Sequence, residues 1–169
     1  MAEELMEELE ELEELEEDDL QKGMYMTFRI GDECYGIAIN YVNEIIGTQA
    51  ITPVPEVEDY IKGLINIRGK IIPVIDVKIR FKQEPFEYMD RTCIIVIDVK
   101  DTMVGLIVEQ IADVITIDEK DIIPPPSLNQ TSYGKDKYVV GLVRVADEVK
   151  LLLDPEKLIR DEDPMMPEQ

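Results

Sequence analysis

The sequence predicts an all-β protein: two packed five-stranded barrels that arise from an internal duplication, with short helices and a C-terminal helix. Three observations predict it. From residue 24 onward Ile and Val dominate over Ala and Leu, a bias toward β-branched residues that suits strands. Apolar runs of four to eight residues follow one another closely, separated by turn residues. Three blocks of the first half recur in the same order in the second.

The expected strands are Met24–Ile30, Cys34–Ile39, Glu44–Gly47, Leu64–Ile67, Lys70–Ile75, Thr92–Lys100, Met103–Val108, Asp113–Thr116, Tyr138–Val145 and Val149–Leu153. Gly31-Asp32-Glu33 and Lys100-Asp101-Thr102 read as hairpin turns. Asn40–Glu44 and Glu109–Asp113 can each make a helical turn. Asp76 can cap a short helix running through Phe81. Asp154-Pro155-Glu156 starts the C-terminal helix, with an Asp cap, Pro at the first position and Glu in the first turn.

The repeat is read without gaps. Gly36–Ile46 aligns on Gly105–Ile115 at an offset of 69, and Gly63–Asp76 aligns on Gly141–Asp154 at an offset of 78. Between them, Ile51-Thr-Pro-Val-Pro55 resembles Ile122-Ile-Pro-Pro-Pro126. Each copy then carries about five short strands, too many apolar faces for an open sheet, and such units bury themselves by closing into barrels. The expected division is 24–85 for most of the first barrel and 92–153 for most of the second, with strand exchange possible. The growing offset places extra polar residues around Asn129–Asp136.

Charge divides the chain differently. Residues 3–19 hold twelve acidic residues and no basic ones, and 161–169 hold four more acids. What remains, 22 acidic against 17 basic residues, gives −5 for 20–160. A clustered basic surface is missing, which disfavours nucleic-acid binding. Leu5, Leu9 and Leu12 repeat at helical spacing among the glutamates, so 1–22 is expected to be a disordered extension or a frayed helix. The segment 161–169, with Pro164 and Pro167, is expected to be a disordered tail.

The chemistry available is narrow. Histidine is absent, and serine occurs only at Ser127 and Ser132, so neither a Ser-His-Asp arrangement nor a histidine metal site can be built. Cys34 and Cys93 lie in apolar runs and read as buried, inert thiols. The spacing from Gly63 to Gly69-Lys70 misses the phosphate-binding loop by one residue, and Ile71 stands where Ser or Thr would hold magnesium. No calcium loop with alternating ligands and a central Gly is present. Carboxylate pairs such as Asp98 with Asp101 are what a surface with 38 acids supplies anyway. No catalytic, metal or cofactor site is expected, and no apolar run reaches the ~18 residues that span a bilayer, so no membrane insertion is expected.

Recognition is the chemistry left. Gly63–Asp76 reads as a hairpin whose tip is Arg68-Gly69, with Arg68 turned to solvent and Asn66 and Gly69 supporting the turn. The second copy has Arg144, Ala146 and Asp147 at the places of Asn66, Arg68 and Gly69, so the turn is what differs between copies. Val42, Ile45, Ile111 and Val114 occupy matching positions near the barrel edges. Facing one another, they would form an apolar groove suited to a partner helix.

Tyr35-Gly36-Ile37, Val42-Asn43-Glu44-Ile45-Ile46, Ile61-Lys62-Gly63-Leu64-Ile65-Asn66-Ile67-Arg68-Gly69 and Ile72-Pro73-Val74-Ile75-Asp76 resemble, in this order, the CheW chemotaxis coupling proteins over residues 24–160. Nothing resembles a kinase catalytic or phosphotransfer domain. The resemblance implies two intertwined SH3-like barrels. It implies a non-enzymatic adaptor joining the cytoplasmic helical tip of methyl-accepting chemoreceptors to the regulatory domain of the chemotaxis histidine kinase. Such a protein would be cytoplasmic and recruited to membrane receptor arrays, or would serve a non-chemotaxis two-component pathway. The family binding surfaces carry over to Val42, Glu44 and Arg68. Lys78 stands where the family often has Arg, and the acidic segment 3–19 has no counterpart in the pattern.

Overall fold

The computed structural model describes residues 2–10, 23–125 and 137–160. Residues 2–10 form helix α1, with Leu5, Met6 and Leu9 exposed. Residues 11–22, the polar loop around Asn129–Asp136 and the tail 161–169 lie outside the described residues.

Ten strands follow: β1 (Met24–Ile30), β2 (Glu33–Ala38), β3 (Val42–Gly47), β4 (Ile61–Ile67), β5 (Lys70–Asp76), β6 (Cys93–Val99), β7 (Thr102–Val108), β8 (Gln110–Thr116), β9 (Val139–Val145) and β10 (Glu148–Leu153). Two one-turn helices, α2 (Val77–Arg80) and α3 (Pro155–Ile159), follow β5 and β10. Asp76 accepts a hydrogen bond from the Ile79 amide, and Asp154 accepts from those of Glu156 and Lys157, so both helices start on the expected caps.

Two expectations are corrected. The helical turn expected over Glu109–Asp113 is strand, because β1 needs a full-length partner: Arg29 pairs with Gln110 and Phe28 with Ile111. The turn expected over Asn40–Glu44 shrinks to a 3-10 turn at Ile39–Tyr41, and β3 begins at Val42 to pair with Ile97.

The strands form two five-stranded sheets, ordered β8-β1-β2-β10-β9 and β3-β6-β7-β5-β4. The first and last strand pairs of the repeat align β1–β5 with β6–β10. Each sheet therefore takes strands one and two from one copy and strands three to five from the other. Strand exchange between the copies is full and reciprocal, with 42–108 supplying one sheet entire. Equivalent positions keep equivalent partners. The Asp76 amide donates to Tyr60 O at 2.8 Å, and the Asp154 amide to Tyr138 O at 2.9 Å.

Four strand pairs join the copies: β1 with β8 and β3 with β6 are antiparallel, and the other two, β2 with β10 and β5 with β7, are parallel. In them Gly36 faces Leu152 and Gly105 faces Val74, the same pairing twice. A Cβ on Gly105 would stand 2.6 Å from Val74 Cγ1 and 2.8 Å from Ile94 Cγ2. Glycine is therefore demanded by close approach, not by a turn.

The largest core lies between the sheets. Phe28, Tyr35 and Ile37 from one sheet meet Ile95, Ile97 and Leu106 from the other, all fully buried. A second core, including Ile65, Ile72, Val74 and Ile94, fills the inside of the β3–β7 sheet, and a smaller one around Val143 and Leu152 fills the other. Phe28, Tyr35, Phe81 and Tyr138 form a chain of rings with centroids 6.0, 5.1 and 5.6 Å apart. Arg80 is buried beside it. Its guanidinium lies 4.1 Å from the Tyr60 ring centroid and 5.1 Å from that of Tyr138, and it donates to the carbonyls of Leu158 and Arg160. The side chain thus holds α3 against α2.

Along the β2–β10 pair, Glu148 accepts from Lys150 Nζ at 2.6 Å and from Arg29 Nη2 at 3.0 Å. These hydrogen bonds, Lys150 first, hold the Glu148 carboxyl at about 2.

Gly105→Ala is expected to destabilise the chain by about 1–3 kcal/mol through overpacking at the β5–β7 pair, read as a lower urea midpoint at unchanged slope. A carboxyl whose pKa falls on folding adds stability above its unfolded value and loses it as pH falls through the folded one. The stability difference between the wild type and Glu148→Gln should thus be present at neutral pH. It should shrink from the ordinary carboxylate range down to about pH 2 in urea titrations at stepped pH.

Candidate functional site

The candidate site forms where the β4–β5 hairpin comes beside edge strand β3. At its tip Arg68 has φ 49° and Gly69 φ 88°, the doubly left-handed pair of a two-residue hairpin turn. Asn66 Oδ1 accepts from the Gly69 amide at 2.9 Å and closes the turn. The turn holds Arg68 outward, its side chain 74% exposed, yet tethered by an ion pair to Glu44, whose own side chain is only 23% exposed.

Glu44 reaches that position through a bulge. Val42 pairs with Ile97 and Glu44 with Val96, so Asn43 is the extra residue in β3. The equivalent bulge falls between Ile111 and Val114 of β8, where β1 steps only from Phe28 to Met26. There the buried Thr27 hydroxyl accepts from the Asp113 amide and donates to its carbonyl, both at 2.9 Å. Val96 stands at the place of Thr27 in the other copy and offers no hydroxyl. One bulge is fastened from within; the other is left with a carboxylate that pairs across to Arg68.

Together Asn43, Glu44, Ile67, Arg68, Lys70, Ile72 and Met103 line a shallow cavity of about 220 Å³. Its floor is aliphatic and its rim charged, with Lys70 Nζ 4.0 Å from Met103 Sδ. Sequence reasoning missed Lys70 and Met103. Lys70 had a signal, since it follows the Arg-Gly pair directly; Met103 had none, since it arrives on β7 from the other copy.

Four of the expected residues, Glu44, Asn66, Arg68 and Gly69, are brought together here. The other four fall elsewhere, on edge strands β3 and β8 of different sheets. Val42 and Ile111 are half-buried and pack on the core between the sheets. Ile45 and Val114, equivalent in the repeat, are exposed at 39% and 47%.

A second cavity, of about 180 Å³, is lined by Lys78, Phe86, Glu87, Met89, Arg91, Thr92 and Glu109. Lys78 pairs with Glu109 at 2.8 Å, and the Gly31 amide also donates to Glu109. Nearby, burial and a 2.6 Å hydrogen bond to Asp76 push the Tyr88 hydroxyl well above the ordinary phenol range. Among the described residues no cluster of three or more His, Cys, Asp or Glu could hold a metal ion. Nor is any helix among them long and apolar enough to cross a membrane.

Residues 24–163 match the family model described as CheW-like domain. The chemotaxis protein CheW of Klebsiella aerogenes is 34% identical over 139 residues, 82% of each chain. That of Bacillus subtilis is 41% identical over 101 residues, 60% of this chain and 65% of the other. Among solved structures, the scaffolding protein TtCheW from Thermoanaerobacter tengcongensis superposes with a TM-score of 0.74 at 33% identity, covering 82% of this chain and 88% of that one. The chain belongs to the CheW-like domain family, and its two five-stranded sheets have the SH3-like barrel character expected of it.

Since Arg68 is largely exposed, its pair with Glu44 contributes less than ~1 kcal/mol to folding. Arg68→Ala should therefore leave the urea midpoint nearly unchanged. A large loss of stability would show that the pair belongs to the fold and not to a recognition surface.

Proposed function

We propose that this member of the CheW-like family is a non-enzymatic chemotaxis scaffold that couples the cytoplasmic tips of chemoreceptors to the regulatory domain of the chemotaxis histidine kinase. It works in the cytoplasm, recruited to receptor arrays. The observation that carries the reading is the Arg68–Glu44 turn: an exposed cation on a rigid hairpin, paired to the edge strand over an aliphatic cavity, where the other copy has Ala146.

The mechanism is positioning. The scaffold transmits a receptor change by binding one kinase arrangement better than another, and it can shift the equilibrium only by that difference in affinity. Single contacts can be weak, because an array multiplies them through effective concentration. Arg68 is the polar anchor, Asn66 and Gly69 hold its turn, and Glu44 fixes its direction. Val42, Ile45, Ile111 and Val114 are the apolar contacts, two on each edge strand, presented to a helical partner.

Arg68→Glu should abolish binding to the receptor tip or to the kinase regulatory domain while the chain stays folded, as read by calorimetric titration beside a circular dichroism melt. Unchanged affinity for both partners would sink the assignment of this turn.

A further inference from the structure

The β2–β10 pair holds a cysteine and a lysine in contact. Cys34 and Lys150 are register partners in the parallel ladder, so their side chains leave the sheet on the same side. Lys150 Nζ lies 3.4 Å from Cys34 Sγ. Neither group is at large on the surface: Cys34 is 1% exposed and the Lys150 side chain 13%. Glu148, itself held by Arg29, fixes the amine from its other side. Peroxides oxidise a cysteine sulfur to a sulfenic acid, and the Lys150 amine is already in contact with this one. Cys34 also lies two residues past the exposed turn at Gly31-Asp32, and local opening of a hairpin end would admit a molecule as small as hydrogen peroxide.

We infer that Cys34 and Lys150 are a peroxide-driven cross-linking site, at which oxidation of the thiol is captured by the neighbouring amine as a Sγ–Nζ bond.

In the first step the Cys34 sulfur attacks one oxygen of hydrogen peroxide. The O–O bond breaks, hydroxide leaves and takes up the thiol proton as water, and Cys34 becomes a sulfenic acid. In the second step the deprotonated Lys150 amine attacks Sγ. The S–O bond breaks, and the leaving hydroxide takes one N–H proton to become water. Sulfur loses two electrons and peroxide gains them. Per cross-link, one peroxide is consumed, two waters form, and the proton that the ammonium gave up is released. A thiol reverses the reaction by attacking sulfur and returning the amine.

The link would join strands from different copies, at one of the two parallel strand pairs between them. Peroxide would thereby tie the β1–β2 hairpin of one copy to β10 of the other.

The test uses the full chain carrying Cys93→Ser, so that Cys34 is its sole thiol. It is treated with dilute hydrogen peroxide and analysed by intact mass and by tryptic mapping. The expected result is a loss of about 2 Da that dithiothreitol reverses, with resistance to trypsin at Lys150 and a peptide joining positions 34 and 150. Lys150→Arg keeps the charge and the pairing with Glu148 but should give sulfinic and sulfonic acids with no link. The inference is overturned if the chain with Lys150 intact oxidises to those acids, or stays unmodified, with cleavage at Lys150 undiminished. Because the link is mapped on the unsubstituted lysine, the test holds whatever the stability of the arginine variant.

Discussion

Everything in this fold hangs on two places where a strand of one copy runs parallel to a strand of the other with no room for a side chain between them. At Gly105 against Val74 and at Gly36 against Leu152, backbone approaches side chain closely enough that glycine is required or strongly favoured. Parallel strands need a crossover connection, and each of these pairs is made by chain segments far apart in sequence. Take them away and each sheet separates into a three-stranded part, β8-β1-β2 or β3-β6-β7, and a two-stranded hairpin, β10-β9 or β5-β4. Neither could cover the large core between the sheets. The exchange that makes the two barrels one body is thus also what makes a single copy incomplete.

The site inherits its geometry from the same exchange. Glu44 is placed by a bulge against β6, Arg68 by its own hairpin, and Met103 by β7. Two of these residues come from the first copy and one from the second. The equivalent place in the other sheet carries the same bulge and the same hairpin, with Ala146 and Asp147 at φ 51° and 66°. The fold therefore tolerates two very different tips. A non-glycine left-handed pair costs something, and Arg68 bears that cost alongside Ala146 and Asp147. What the first copy gains is a cation at the tip, tied to a carboxylate of the neighbouring edge strand.

Strand existence was legible because β-branched runs and turn residues are local signals. The hairpin tip was legible because Arg-Gly between apolar runs has few other meanings. The family resemblance implied intertwined barrels, but the residues alone left exchange only possible, and for a physical reason: when two copies share their pairing residues, β2 meets an equivalent β5-type strand whether it pairs within its own copy or across. Linker length and the covering of the core decide, and neither is a sequence pattern. The helical turn expected within β8 has a similar source. Glu109–Asp113 has a helix-compatible composition, but β1 required a partner along its whole length, and pairing overrode local preference. Arg68 was visible as the polar residue of the hairpin tip, and Glu44 only through the family resemblance. Their ion pair was not, since 24 residues separate them along the chain.

Arg80 carries a consequence for how such a protein can come to exist. In the repeat its counterpart is Leu158, whose carbonyl it holds, while the rings on either side of it, Tyr60 and Tyr138, are counterparts of each other. Two identical chains, each one repeat long, would have to place the same residue at both of these sites. Two arginines there would set like charges against each other in a buried space, and two leucines would leave the carbonyls of the last helix without their donor. Joining the repeats into one polypeptide lifts that restriction. After fusion, mutation can act on one half alone, and the centre of the molecule becomes the first place where unlike neighbours are worth having.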